Sequence, residues 1–105
     1  MINQITPQQA DQLIKESSAI VIDIRDVNSF EQGHIESAIR IDNDNFQAFI
    51  ESADKENPVI VCCYHGNSSQ AASQTVASFG FKSYSLQGGM SAWALTMPTV
   101  KQCIK

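Results

Sequence analysis

The sequence predicts an α/β domain with a mostly parallel sheet of about five strands and helices on both faces. Residues 19–24 and 59–63 are short apolar runs, rich in β-branched side chains, of the kind found in strands buried on both faces. Such runs alternate with segments whose apolar residues recur at helical spacing, an order typical of parallel sheets. The 105 residues suit one domain, with no internal boundary between 1 and 105.

The first half of the chain holds clear helix and strand signals. Thr6-Pro7-Gln8-Gln9 predicts a helix start, with Thr6 as N-cap, Pro7 in the first helical position and Gln9 completing a capping box. We also expect an edge strand over 2–5, a short helical turn over 26–32 before Gly33, and a strand over 38–41. A further helix, capped by Asn43 or Asp44, should end before Asn57-Pro58.

The second half continues the alternation. The run 59–63 is the third buried strand, and Gly66-Asn67-Ser68 is turn chemistry. A helix is predicted from Ser69 to Phe79, stopping at Gly80. A strand over 83–86, a tight turn at Gly88-Gly89 and a final helix over 90–95 complete the prediction.

Composition excludes several classes of function. A net charge of −4 with only seven Lys and Arg argues against general nucleic-acid binding. The longest apolar runs are far too short to span a bilayer, and the N-terminus lacks the basic and apolar blocks of a secretory signal. Of the three cysteines, Cys62 and Cys63 are neighbours, so reduced thiols in a cytoplasmic setting are expected rather than a disulfide.

Cys63 is the candidate nucleophile. It follows a buried strand and precedes a turn and a helix start, where converging backbone N–H groups and the positive end of the helix dipole favour thiolate over thiol. An ordinary buried cysteine is the alternative, and it describes Cys62 better, since neighbours in a strand point to opposite faces.

Four segments of the chain carry a shared pattern in register: Val21-Ile22-Asp23-Ile24-Arg25, Gly33-His34-Ile35-Glu36-Ser37-Ala38, the loop Cys63-Tyr64-His65-Gly66-Asn67-Ser68, and Leu86-Gln87-Gly88-Gly89-Met90-Ser91-Ala92-Trp93. Together they resemble the rhodanese-domain sulfurtransferases, and most closely the single-domain bacterial thiosulfate sulfurtransferases of the GlpE type. The resemblance covers about residues 5–93, leaving 97–105 as a tail.

This resemblance implies a single rhodanese-like domain that transfers sulfane sulfur from thiosulfate through a Cys63 persulfide, releasing sulfite. The acceptor would be cyanide in an assay, or a small thiol or thioredoxin-like protein, and no cofactor, metal, nucleic acid or membrane is implied. The implied substrate-binding residues are those of the loop: Tyr64, His65, Gly66, Asn67, Ser68 and Ser69.

The sequence departs from the family pattern at two places. Ser37 stands where glycine is usual, which we expect to affect only a turn. The loop lacks the Arg or Lys of many rhodaneses, so backbone amides from Tyr64 to Ser69 are expected to bind the anion.

Several other residues can be explained by structural rather than catalytic roles. His65 either assists donor binding or is an exposed loop side chain. A structural hydrogen bond is expected for His34 and loop ordering for the Asp23–Arg25 pair. Trp93 is expected in the core, and Cys103, in the polar tail, is assigned no role.

Two other functions remain in competition. A cysteine phosphatase or arsenate reductase needs an arginine six positions after the cysteine to hold a tetrahedral oxyanion, and here that position is Ser69. A non-catalytic rhodanese-like binding module would typically have lost the cysteine, which this chain keeps.

Overall fold

A computed structural model describes residues 3–101, which form five strands and five helices in strict alternation. The strands are β1 (Gln4–Ile5), β2 (Ile20–Asp23), β3 (Ile39–Arg40), β4 (Val59–Cys62) and β5 (Ser83–Leu86). The helices are α1 (Pro7–Ser17), α2 (Val27–Gln32), α3 (Phe46–Ser52), α4 (Ser68–Ser78) and α5 (Gly89–Thr96).

The strands form one sheet in the order β1-β5-β4-β2-β3, and every described pairing is parallel. The α/β class, the parallel sheet and the number of strands are therefore confirmed. Because all strands run the same way, their carboxyl ends share one edge of the sheet, where ligand sites of such folds gather. The central strand β4 ends at that edge with Cys62, and Cys63 is the next residue.

Helices cover both faces of the sheet, as predicted. One core contains Ile60, Cys62 and Leu86 beneath Ala10 of α1 and Trp93 of α5. The other core is formed by the opposite face together with side chains of α3 and α4: Ile22, Ile41, Phe49, Ile50, Val59, Val61, Val76 and Phe81. β4 is buried along its whole length, which explains its unbroken apolar sequence.

The start of α1 follows the predicted capping box. The Gln9 N–H donates to Thr6 Oγ1 at 3.2 Å, and the Thr6 N–H donates to Gln9 Oε1 at 2.9 Å. Pro7 occupies the first helical position. These local bonds satisfy backbone donors that the first turn leaves without partners.

The predicted cap of α3 is wrong. The helix begins at Phe46 with Asn45 as N-cap, rather than Asn43 or Asp44, and Asn45 makes no side-chain cap bond. Asp42 holds the turn instead, since its Oδ1 accepts from the N–H groups of Asp44 and Asn45 at 2.9 and 3.3 Å.

Other boundaries shift by one residue or a few. α4 spans Ser68–Ser78 rather than 69–79, and α5 spans Gly89–Thr96 rather than 90–95. The first edge strand is Gln4–Ile5, while Ile2 and Cys103 lie outside the described residues. No helix within residues 3–101 combines the length and apolarity needed to cross a membrane.

Ser37, the residue that replaces a family glycine, has a left-handed backbone with φ of 70°. Residues with a Cβ adopt this backbone conformation at a cost in free energy, whereas glycine adopts it freely. The departure thus lies in a turn, as expected, at an exposed position.

Candidate active site

The carboxyl edge of the sheet brings together the ends of β2, β4 and β5. Asp23 is the last residue of β2 and Arg25 lies two residues beyond it, Cys63 directly follows β4, and Gly88 comes shortly after β5. The loop of residues 63–69, here termed the cysteine loop, connects β4 to the N-terminus of α4 and curls around the Cys63 sulfur.

Neutral donors surround this sulfur. The N–H groups of Gly66 and Ser69 donate to Sγ at 3.1 and 3.3 Å, and the Ser69 hydroxyl lies 3.3 Å away. Gly66 has φ of +89°, a backbone conformation that suits glycine and turns its amide inward. Only 6% of Cys63 is exposed, so the sulfur sits within this nest of donors rather than on the surface.

The two neighbouring cysteines have opposite pKa shifts. Burial raises the pKa of Cys63, but hydrogen bonds from the Ser69 side chain and from the Ser69, Gly66 and His65 backbones outweigh it, and the net pKa is lowered. Burial, followed by the charge of Asp23, raises the pKa of Cys62 well above its usual range. The structure therefore favours ionisation of Cys63 over ionisation of its neighbour Cys62.

The N-terminus of α5 holds the start of the cysteine loop. The Met90 N–H donates to the Cys63 carbonyl at 2.8 Å, and the Ser91 N–H donates to the Tyr64 carbonyl at 2.9 Å. In a trans peptide the N–H points away from the preceding carbonyl, so the Tyr64 and His65 amides face away from α5. The His65 N–H is accordingly one of the donors that lower the Cys63 pKa.

The close approach explains the Gly88-Gly89 pair. A Cβ on Gly89 would lie 2.5 Å from the Cys63 carbonyl oxygen and 2.6 Å from the Tyr64 carbonyl carbon, far inside contact distance. Both glycines also have positive φ, of 75° and 61°. The tight turn predicted from sequence thus also packs directly against the backbone of the cysteine loop.

The structure divides the predicted loop residues into two groups. Gly66 and Ser69 are buried and face the sulfur, whereas Asn67 and Ser68 are exposed. Tyr64, 55% exposed, and the exposed His65 place their rings 4.8 Å apart on the rim. The side chains of Tyr64 and His65 therefore face an approaching molecule.

The Asp23–Arg25 pair orders the neighbouring loops, as predicted. Arg25 Nη2 lies 2.7 Å from Asp23 Oδ2 and donates also to the Gly33 carbonyl at 2.7 Å. Arg25 Nε contacts both oxygens of the same carboxylate, at 3.0 and 3.1 Å. With Nε and Nη2 turned to these partners, the guanidinium ties β2 to the end of α2.

His34 and Trp93 are structural as expected. His34 Nδ1 lies 2.7 Å from the Phe30 carbonyl, and its ring stacks on Phe30 with centroids 3.9 Å apart. Trp93 Nε1 donates to the Pro98 carbonyl at 2.8 Å from within the core. Within residues 3–101, no three His, Cys, Asp or Glu side chains group closely enough to hold a metal ion.

Ser85 was not among the predicted site residues. Its hydroxyl lies 2.7 Å from that of Ser69, one turn of α4 away from the matching Ser73–Ser83 pair, also at 2.7 Å. All four side chains are buried. The signal was present in the sequence: serines alternate at 83 and 85 of a buried strand and repeat at 69 and 73 of a helix, at the periods of one face of each element.

A cleft of about 380 Å³ opens beside the cysteine loop. Tyr64 lines it on one side, Met90 and Ser91 of α5 on a second, and Ser29 and Gly33 on a third. It gives a molecule larger than a small anion a surface beside Tyr64, the residue that follows Cys63.

Comparison with known proteins agrees with the fold. Residues 6–96 match the rhodanese-like domain family. A thiosulfate sulfurtransferase GlpE from Ectopseudomonas mendocina is 47% identical over 97 residues, covering 91% of this chain and 88% of the relative. Another protein of that name, from Pseudomonas fluorescens, is 48% identical over 96 residues, covering 90% and 87%.

Solved structures share the fold at lower identity. A rhodanese-related protein from Thermoplasma volcanium superposes with a TM-score of 0.82 at 24% identity, covering 95% of this chain and 99% of its own. A rhodanese-like domain from Anabaena gives a TM-score of 0.81 at 24% identity, covering 97% and 81%.

The fold and the cysteine loop define a rhodanese-type α/β domain. This chain belongs to the rhodanese-like domain family. The relatives that match it over nine-tenths of its length bear the name thiosulfate sulfurtransferase GlpE, and family membership confirms the resemblance drawn from the four sequence segments.

Proposed function

We propose that this protein is a thiosulfate sulfurtransferase that carries sulfur as a persulfide on Cys63. The observation that carries the proposal is the Cys63 sulfur itself, held among neutral donors that lower its pKa. A thiolate is the nucleophilic form of cysteine, and this nest also suits the negative outer sulfur of a persulfide. The names of the GlpE relatives support thiosulfate as the donor.

In the first half-reaction, the Cys63 thiolate attacks the outer sulfur of thiosulfate. A new S–S bond forms on Cys63 while the S–S bond of thiosulfate breaks, and sulfite leaves with the electron pair. Charge balances without a proton, because a thiolate and a dianion become a persulfide anion and a dianion. The backbone amides from Tyr64 to Ser69 bind the anion in this step.

In the second half-reaction, a thiophilic acceptor attacks the outer sulfur and Cys63 departs as the thiolate. Cyanide takes the sulfur as thiocyanate in an assay, and a small thiol or a thioredoxin-like protein takes it as a persulfide in the cell. Such an acceptor meets the rim formed by Tyr64 and His65 and the adjoining cleft. No organic cofactor or metal takes part, since the cysteine is the carrier.

The local chemistry disfavours phosphate-ester or arsenate chemistry. Those reactions need a bidentate guanidinium above the cysteine, and the position six residues on is Ser69, whose side chain is buried against Sγ and Ser85. We expect no Cys63-dependent hydrolysis of an aryl phosphate.

Mass spectrometry of the intact protein tests the proposal. Incubation with thiosulfate should add about 32 Da, one sulfur atom, and cyanide should remove it. Cys63→Ser should give no adduct. Cys62→Ala is the matched control, because it changes the adjacent buried cysteine on the other face of the sheet, and it should give the wild-type adduct.

Two outcomes would count against the proposal. Wild-type protein that gains no sulfur, or a Cys63→Ser variant that gains it normally, would remove Cys63 as the carrier. A persulfide that forms but that neither cyanide nor any thiol discharges would favour the non-catalytic binding module instead.

A further inference from the structure

We propose that Ser85 is a positioning residue for Cys63: through Ser69 it fixes the direction of a buried hydroxyl chain that ends on the sulfur. The proposal rests on Cys63 acting as the nucleophile. It goes beyond that role by assigning a function to Ser85, which lies 22 positions after Cys63 on a different strand and makes a hydrogen bond to Ser69 of the cysteine loop.

Three groups form the chain. Cys63 Sγ lies 3.3 Å from Ser69 Oγ, which lies 2.7 Å from Ser85 Oγ. Ser69 and Ser85 have no exposed surface, so bulk water reaches neither hydroxyl. Each hydroxyl must therefore find its partner inside the protein, because a buried unpaired polar group is costly.

Counting hydrogens shows which state of Cys63 the chain prefers. With a neutral thiol, three hydrogens, one on each group, share two contacts, and one hydrogen has no acceptor within the chain. With a thiolate, two hydrogens fill the same two contacts: Ser85 donates to Ser69, and Ser69 donates to Sγ. Among these three groups, every hydrogen therefore has an acceptor only when Cys63 is ionised.

Ser85 matters in this count because it decides what Ser69 does. When Ser85 donates across the 2.7 Å contact, Ser69 Oγ acts as its acceptor, and the Ser69 hydrogen is left to point at Sγ, 3.3 Å away. Without that donor, the Ser69 hydroxyl is free to rotate, and its bond to the sulfur loses its fixed direction.

No charged side chain competes with this effect from the elements that pack on the cysteine loop. α4, β5 and α5 contain no Asp, Glu, Lys, Arg or His over their described lengths. The other titratable groups nearby are Tyr64 and His65 on the exposed rim, Tyr84 packed on the opposite face, and Cys62 with the Asp23–Arg25 pair at the ends of β4 and β2. The thiolate thus depends on neutral donors, among which a hydroxyl carries appreciable weight.

The protein also contains a matched control pair of serines. Ser83, two residues before Ser85 on the same face of β5, makes an equivalent 2.7 Å contact with Ser73, one turn further along α4. That pair is buried as well, and within residues 3–101 no hydrogen bond joins it to a sulfur. Ser83→Ala and Ser85→Ala therefore remove the same hydroxyl from the same strand and face, and differ in what lies beyond the partner serine.

The test measures the rate of Cys63 alkylation by iodoacetamide as a function of pH, with the site of modification read by peptide mass spectrometry. Ser85→Ala should raise the apparent pKa of Cys63 by up to about 1 unit and so lower the alkylation rate at neutral pH by up to about tenfold, because less thiolate is present. Ser83→Ala should leave the pH profile as in the wild type. Ser85→Thr keeps the hydroxyl and should restore the wild-type profile.

Equal profiles for Ser85→Ala and Ser83→Ala would overturn the inference, whatever their effects on stability. If Ser85→Ala does not fold, Ser85→Cys replaces it, since a thiol is a weaker donor of similar size, and an unshifted profile in that variant would be equally fatal. Alkylation requires no thiosulfate. A wild-type protein that forms no persulfide therefore refutes the proposed function while leaving this measurement intact.

Discussion

Replacing Gly89 by alanine should destabilise the protein and displace the start of the cysteine loop. The added Cβ would lie 2.5 to 2.6 Å from three atoms of the Cys63 and Tyr64 backbone. These are main-chain atoms, which cannot rotate away as a side chain can. The same glycine has φ of +61°, so alanine there is also conformationally strained.

Two terms set the size of the effect. The left-handed backbone costs a non-glycine residue about 1 kcal/mol or slightly more. Overpacking against fixed atoms typically costs about 1–3 kcal/mol. The sum, on the order of 2–4 kcal/mol, should lower the melting temperature of a domain of this size by roughly 10–20 °C.

Two other glycines separate these terms. Gly80 has φ of +96°, but a Cβ there would meet only the flexible Lys55 side chain at 3.6 Å or beyond, so Gly80→Ala should show the backbone term alone. Gly33 has an extended backbone, with φ of 171°, and its nearest contact would be Thr99 Oγ1 at 3.4 Å. Gly33→Ala should therefore change stability by less than about 1 kcal/mol.

Thermal unfolding followed by circular dichroism, and persulfide formation at a temperature where each variant is folded, measure the two consequences. Gly89→Ala should be the least stable of the three and should also lose persulfide formation, because its loop has moved. If Gly89→Ala has the same melting temperature as Gly80→Ala and forms the persulfide at the wild-type rate, the contact between Gly89 and the cysteine loop is not rigid.

Two further predictions concern stability away from the sulfur. Ser37→Gly removes left-handed strain at an exposed turn and should stabilise the fold by about 0.5–1 kcal/mol in urea unfolding; a loss of stability would show that the Ser37 side chain itself stabilises the turn. Asp23→Asn leaves the Arg25 guanidinium without its carboxylate at a site where Asp23 is 1% exposed, and should cost on the order of 3 kcal/mol. Asp42→Asn, which breaks the more exposed pair with Arg40, should cost less than about 1 kcal/mol, and equal losses would contradict the role given to burial.

Features fixed by neighbouring residues could be predicted from the sequence. The cap of α1 needs only Thr6, Pro7 and Gln9, all within four residues, and it formed as expected. The buried strands β2 and β4 were evident because burial on both faces requires an unbroken apolar run. The place of Cys63 follows from the same logic, since it comes directly after such a strand.

Features that depend on distant contacts could not be predicted in this way. The cap of α3 moved to Asn45 because Asp42 accepts the amides of the turn, and Asp42 is itself ion-paired with Arg40. The distant contact is that of Arg40 Nε, which donates to the Arg25 carbonyl 15 residues away. Ser85 lies 16 residues from Ser69, and only the packing of β5 against α4 brings their hydroxyls together. The role of Gly89 likewise depends on how closely α5 approaches the cysteine loop.

The separation of the two adjacent cysteines bears on how the protein withstands oxidants. Cys62 faces the core beneath Trp93, while the Cys63 sulfur faces Ser69 on the α4 side. A Cys63 sulfenic acid would therefore find no resolving thiol in Cys62, its immediate neighbour. A thiol that enters from solution would have to reduce the sulfenic acid. It would have to do so before further oxidation, because ordinary thiols do not reduce sulfinic acid. Persulfide occupancy would then also shield Cys63, since the terminal sulfur meets the oxidant first.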